Sequence, residues 1–155
     1  MQKATFGAGC FWGVQAYFDK LEGVEKTTVG YTGGHAENPT YEGVCSHSTG
    51  HAEAIEIEFD EKQISYKELL SHFFKIHDPT QKNRQGHDVG DNYRSAIFYH
   101  GASQKKQAEE MVKELNASKK YPKQIATTLE KAAAFWPAES YHQKYYKTHS
   151  VSCHM

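Results

Sequence analysis

Long apolar runs are missing from this chain of 155 residues: no stretch approaches the roughly 20 that a membrane-spanning helix requires, which excludes a helical membrane protein. An excess of either charge is missing too. Lysine and arginine number 18 against 19 aspartate and glutamate, a formal net charge of -1, and without a basic stripe the chain is not built to hold nucleic acid. Cysteine is scarce, and its count of 3 is odd. That excludes a secreted scaffold stapled by disulfides and points to free or transiently paired thiols in a reducing compartment. No Cys-x-x-Cys pair occurs. Cys45-Ser46-His47 with His51, and Cys153-His154, lack the spacing of a structural zinc site, so no metal is expected. The length suits one domain over 1–155, free of repeats and low-complexity segments, with polar residues 147–155 as a mobile tail that carries Cys153. Cys10 stands too near the first residue for a removable signal to precede it, and the expectation is a cytoplasmic monomer.

What is present is an alternation of strand and helix patterns. Ala4 to Gly9 is small and partly β-prone, and Phe11, Val14, Phe18 and Leu21 then recur at helical spacing. Gly23 is placed to stop that helix, and Val24 to Thr32 has the β-branched and aromatic content of a strand. Residues 33–50 read as a long loop, of the kind that carries function. From Ala52 to Phe59 apolar and polar residues alternate, with Ile55, Ile57 and Phe59 on one face. Glu53 is in phase with the isoleucines, which leaves two placements open: facing an apolar interior, where a carboxyl is harder to ionise, or lying before the regular strand and facing solvent. Ser65 with Glu68 forms a capping box, and Ile64 with Leu69 a hydrophobic staple, for a helix to about His77 that Asp78-Pro79 ends. A polar loop follows to Asn92, then a strand over Ser95 to Tyr99. A helix capped by Ser103 is expected to reach Ser118, a strand to cover Ile125 to Glu130, and a short helix to run from Ala138 to Tyr146. This order predicts an α+β fold, a two-layer α/β sandwich with helices on a mixed sheet and a ferredoxin-like core.

Gly9-Cys10-Phe11-Trp12-Gly13 concentrates the chemistry. It sets a thiol where a strand gives way to a helix, so Cys10 belongs in or beside the first helical turn. Unpaired backbone N–H groups and the positive end of the helix dipole favour the thiolate there, which is the nucleophilic form. Two glycines let the backbone come close to a ligand, and Phe11 and Trp12 offer apolar walls sized for a methyl-bearing group, although Phe11 also belongs to the core stripe of the helix.

That motif is followed in order by Gly30-Tyr31-Thr32-Gly33-Gly34, Asn38-Pro39-Thr40-Tyr41, Thr49-Gly50-His51-Ala52-Glu53, Asp88-Val89-Gly90-Asp91-Asn92-Tyr93-Arg94-Ser95 and Ala138-Glu139-Ser140-Tyr141-His142-Gln143. Over nearly its whole length the chain therefore closely resembles the A-type peptide methionine sulfoxide reductases. Two positions depart from the family's pattern: Asn92 stands where glutamine is common, and His87 where the residue varies.

The resemblance implies that Cys10 attacks the sulfoxide sulfur and that Phe11 and Trp12 receive the terminal methyl. It places Tyr41, Glu53 and Tyr93 around the sulfoxide oxygen, with Glu53 as proton donor and Asp88 as a polar residue of the same pocket. Oxygen transfer would leave Cys10 a sulfenic acid, which a second thiol condenses with to form a disulfide. Some family members recycle through two C-terminal cysteines, whereas this tail has one, so the implied partner is Cys153 and the implied reductant thioredoxin or a similar dithiol, with no cofactor. Cys45 is the other candidate partner, and a terminal cysteine can also be an incidental surface thiol. The resemblance also implies selectivity for the S epimer at sulfur. A cysteine hydrolase would instead need a histidine base, for which His51 or His142 could be nominated, and would consume no reducing equivalents.

Overall fold

Phe6 sits at the meeting point of sheet and helices. Its ring stacks on Phe73 at 4.9 Å and lies 6.0 Å from Phe18 and 6.2 Å from Tyr66, so the elements bearing those residues cover the same face. The structure is a computed structural model that describes residues 2–144, so the expected tail and Cys153 lie outside the described residues. Its strands are β1 (Gln2–Ala8), β2 (Val24–Thr32), β3 (Ala52–Phe59), β4 (Arg84–Gln85), β5 (Asp88–Val89), β6 (Ser95–Tyr99), β7 (Thr128–Lys131) and β8 (Trp136–Pro137). The α-helices are α1 (Phe11–Phe18), α2 (Tyr41–Cys45), α3 (Tyr66–Lys75) and α4 (Ala102–Ser118).

Six strands form a mixed sheet in the order β7-β6-β1-β3-β2-β8. The inner four are antiparallel, and β7 alone runs parallel to its neighbour β6. Read along the chain, β1, α1, β2, β3, α3 and β6 make a split β-α-β pattern with the first and third strands central, which is the ferredoxin-like core foreseen. The alternating side chains of β3 divide it between two environments. Ile55 and Ile57 enter the main core with Phe11, Phe18, Leu69 and Phe73, whereas Ala52 and Ala54 join a smaller cluster with Ala96 and Phe98, against which Ala132 and Phe135 pack. Glu53 shares the phase of the isoleucines.

The capping box of α3 is present as the sequence predicts: Ser65 accepts from the Glu68 backbone and Glu68 reaches back to the Ser65 N–H. Elsewhere local signals lost to tertiary partners. Residues 41–45 in the predicted loop form α2, capped by Thr40. Leu21 lies beyond the end of α1 and packs on the core from a turn, and Gly23 is at φ 91. The N-cap of α4 is Gly101 and not Ser103, whose hydroxyl inside the helix accepts from Gln107 at 3.1 Å. The strand expected from Ile125 begins at Thr128, because the Ile125 N–H is taken by Asn116 and that of Ala126 by the Pro79 carbonyl. Over the described part of the helix expected at 138–146, residues 138–144, there is a single 3₁₀ turn, Ser140–His142, because Ala138 N–H and the Gln143 side chain both bind the backbone of Val29.

Two buried polar clusters fix the loops that carry the site. Arg94 donates to the carbonyls of Gly50 at 3.1 Å and Asp91 at 2.9 Å and pairs with Glu130 on β7, tying the approach to β3 to the turn before β6. Gly34 lets two loops meet: a Cβ there would stand 2.3 Å from the His51 nitrogen. At the far end of the 78–94 loop, His77 Nδ1 donates to the Phe73 carbonyl at 2.6 Å. Its Nε2 is then left to accept from the Ser95 hydroxyl at 2.7 Å, which Thr127 backs at 2.7 Å. Burial drives the His77 pKa down from 6.5 to about 4. The unfolded chain therefore binds a proton that the folded ring refuses, and stability falls as pH drops from about 6.5 toward 4. His77→Gln is expected to flatten this slope in urea-unfolding free energies measured across that range; an unchanged slope would assign the acid sensitivity to other groups.

Candidate active site

Cys10 occupies the N-cap of α1 with φ -57 and ψ 119, half exposed, and its side chain caps no backbone amide. Gly9 before it is at φ 87, a left-handed conformation that glycine adopts without strain, and a Cβ there would stand 2.9 Å from Gln85. The first amide of α1, that of Phe11, donates to Glu53 Oε1 at 3.2 Å. Glu53 is 1% exposed and lies opposite Tyr31 in the β2–β3 ladder. The solvent-facing placement is thereby excluded. A carboxyl removed from water resists ionisation, while the helix N-terminus at Oε1 limits that resistance. Thiol and acid share one helix start.

Two tyrosines close this corner from different elements. Tyr41 opens α2 and Tyr93 ends the 3₁₀ turn Asp91–Tyr93, and each hydroxyl acts on the thiol of Cys45 at the end of α2, favouring its charged form against burial. Burial raises the pKa of Tyr41 and of Tyr93, and the charge of Glu53 raises both further. Cys45, Asp88 and Cys10 also act on Tyr93. Burial pushes the Cys45 thiol up as well. The phenols therefore remain protonated donors through the physiological range. Electrostatic reach to one hydroxyl thus gathers Cys10, Glu53, Asp88 and Tyr93 from four parts of the chain, and Glu53 adds Tyr41.

Trp12 is half buried, whereas Phe11 is only 1% exposed, so Phe11 is mainly core and Trp12 is the one of the two that keeps a face open. The Trp12 indole N–H donates to His142 Nδ1 at 3.0 Å. Burial lowers the pKa of His142, and an Nδ1 that accepts requires the neutral ring with its proton on Nε2. The imidazole lies 4.4 Å from Tyr41 and 5.7 Å from Trp12, forming an aromatic wall above the helix start. From the sequence His142 is only a candidate base and Cys45 only a candidate disulfide partner, and nothing there points to Glu139, whose carboxylate accepts from the Tyr31 hydroxyl and the Tyr41 backbone N–H. The block 138–143 was itself the signal.

His51, the other candidate base, spends both ring nitrogens on backbone: Nδ1 accepts from Gly34 at 3.0 Å and Nε2 donates to Ala36 at 2.7 Å. His47 lies 3.7 Å from Asp91. Among the described residues no group of three or more potential ligands is placed to hold a metal ion, and no helix is long and apolar enough to cross a membrane. Asn92 is fully buried, and its carboxamide has no hydrogen-bond partner among the described residues.

A half-exposed thiol at a helix start, with a buried carboxyl and protonated phenols around it, defines the class: a cysteine-dependent oxidoreductase built on an α+β fold. The family model for peptide methionine sulfoxide reductase matches residues 2–155. A curated relative from Acidobacterium capsulatum, peptide methionine sulfoxide reductase MsrA, is 51% identical and is covered in full, as is this chain. The protein of the same name from Methanothermobacter thermautotrophicus is 54% identical over 93% of this chain and 85% of its own length. Reduced Mxr1 from Saccharomyces cerevisiae superposes with a TM-score of 0.91 at 32% identity, over 98% of this chain and 87% of that one. Mxr1 is also solved in complex with Trx2, with a TM-score of 0.65 at 25% identity, over 93% of this chain and 84% of that one. The chain belongs to the A-type peptide methionine sulfoxide reductase family and is a peptide-methionine (S)-S-oxide reductase.

Trp12→Ala is expected to raise KM for an N-acetylated methionine sulfoxide amide by about tenfold, the value of a lost apolar contact of about 1.4 kcal/mol, while unfolding free energy changes less. Equal losses in steady-state kinetics and in urea unfolding would return Trp12 to the core.

Proposed function

We propose that Cys10 reduces the sulfoxide by direct attack on sulfur, with Glu53 supplying the proton and Tyr41 and Tyr93 holding the oxygen. The observation that carries this reading is the hydrogen bond from Phe11 N–H to Glu53 Oε1 at the start of the helix that Cys10 caps. With Oε1 accepting, the neutral acid carries its proton on the other oxygen. The Cys10 thiolate adds to the electrophilic sulfur, and protonation of the oxygen by Glu53 converts a poor leaving group into a good one. The protonated oxygen leaves as water while the Cys10–sulfur bond forms, and attack of water on Cys10 Sγ then breaks that bond: the thioether departs with the electron pair, reduced by two electrons, and Cys10, oxidised by two, becomes the sulfenic acid. Neutral Tyr41 and Tyr93 donate to the developing negative charge on that oxygen, and Asp88 extends the polar side of the pocket through its effect on Tyr93. Trp12, with Phe11 beneath it, receives the methyl.

Cys153, outside the described residues, then condenses with the sulfenic acid, forming a Cys10–Cys153 disulfide and water. Thioredoxin or a similar dithiol reduces that bond, becoming a disulfide itself and restoring both thiols, and no cofactor enters the balance. The solved complex of the relative Mxr1 with Trx2 supports a thioredoxin as the reductant. On this reading the enzyme repairs oxidised methionine, free or in proteins.

Glu53→Gln keeps the hydrogen bond from Phe11 and removes the acid. The chemical step is expected to slow by about 100-fold or more in single-turnover quench experiments with the fold intact, and an unchanged rate excludes Glu53 as proton donor. Mass spectrometry after one turnover without reductant is expected to show a disulfide of Cys10 with Cys153; a bond to Cys45 would reassign the resolving thiol.

A further inference from the structure

Glu139 takes no part in the chemistry above, yet its carboxylate reaches three tyrosines. Oε1 accepts from the Tyr31 hydroxyl at 2.8 Å, and Oε2 accepts from the Tyr41 backbone N–H at 3.1 Å and from the Tyr141 hydroxyl at 3.4 Å. Tyr41 is the first residue of α2, so its N–H is one of those a helix cannot satisfy from within. A helix of 5 residues is far too short to persist unaided, and its place depends on what grips its ends. Thr40 caps Gly43 locally. Glu139 grips Tyr41 from 98 residues away.

The other end of this bracket is fixed. Tyr31 is fully buried near the end of β2, paired with Glu53 on β3, with its ring 5.8 Å from Phe11. Burial opposes ionisation of Glu139, but its own backbone N–H, the Tyr41 N–H and the Tyr31 hydroxyl outweigh it and hold the carboxyl below its ordinary value. The bracket is therefore made of charge-assisted hydrogen bonds, which are shorter and stronger than neutral ones. Three residues on, His142 lies 4.4 Å from the Tyr41 ring, so one short segment holds Tyr41 by both backbone and side chain.

We propose that Glu139 is a positioning residue for the sulfoxide site: its carboxylate pins the start of α2 to Tyr31 and so sets the Tyr41 hydroxyl where the departing oxygen will be. The inference rests on the reading of Tyr41 as a donor to that oxygen. The partners of Glu139 are Tyr31, Tyr41 and Tyr141, and its effect on the site passes through Tyr41.

A double-mutant cycle tests this, using kcat/KM for N-acetyl methionine sulfoxide amide with dithiothreitol as reductant. Glu139→Gln is nearly isosteric and retains one acceptor oxygen, so it preserves the fold where Glu139→Ala could lose it. Glu139→Gln alone is expected to lower kcat about tenfold, in keeping with the cost of slight misplacement in an active site. In the Glu139→Gln background the penalty of Tyr41→Phe should shrink to less than about twofold, because the hydroxyl is already displaced. Alkylation of Cys10 by iodoacetamide, followed by peptide mass spectrometry, should proceed at the native rate. A Tyr41→Phe penalty equal in both backgrounds, or slowed alkylation of Cys10, overturns the proposal and leaves the reading of the site intact. A silent Tyr41→Phe in the otherwise native enzyme removes Tyr41 from the reaction and overturns both.

Discussion

The amide of Phe11 donating to Glu53 is the contact on which the rest of the site depends. It joins the first turn of α1, where Cys10 sits, to the middle of the sheet, across 42 residues. A carboxyl buried without any donor would cost several kcal/mol, and an amide left unpaired beside it would add to that cost. Each group makes the other tolerable. The consequence is structural first: the start of α1, with Cys10 at its N-cap, is tied to a carboxyl held away from water on the central strand.

Around that contact the chain closes a wall from its far end. Residues 138–144 bind β2 through Ala138 and Gln143, reach α2 and Tyr31 through Glu139, and meet Trp12 through His142. At their end Lys144 donates to both carboxylate oxygens of Asp19, at 2.6 and 2.7 Å, and to Thr27 at 2.8 Å. A segment with no helix of its own beyond one 3₁₀ turn is thus held by side-chain hydrogen bonds along its length, and it supplies the ring against which the indole and Tyr41 rest. The rigidity of the pocket comes from polar anchoring of an irregular strap more than from regular structure.

Much of this was legible beforehand where a signal is local. The capping box at Ser65 and Glu68 satisfies helix amides within a few residues, so its outcome hardly depends on the remainder of the fold. The period of Ala52 to Phe59 placed Glu53 on the isoleucine face because side chains alternate strictly along a strand. The failures share a cause. Ser103 is a good cap in isolation, yet the turn at Gly101 starts the helix earlier. Residues 138–146 have helical composition, yet Val29 offers backbone partners at the sheet edge that an isolated helix cannot match. His142 and Glu139 stood in a conspicuous block with no sign of their partners, since Trp12 and Tyr41 lie far away along the chain.

From the order of residues alone came a thiol at a strand-to-helix junction, the phase that Glu53 shares with the isoleucines, the succession of strands and helices, and the resemblance to a family of reductases. These are properties of neighbours within a turn or two, where backbone geometry leaves few choices. Folding decided the rest: that Phe11 is core while Trp12 stays half buried against His142, that Cys45 shares a corner with Tyr41 and Tyr93, and that Glu139 grips the start of α2. Each of those depends on surfaces meeting across tens of residues, where burial and hydrogen bonding select the partner and local preference has no say.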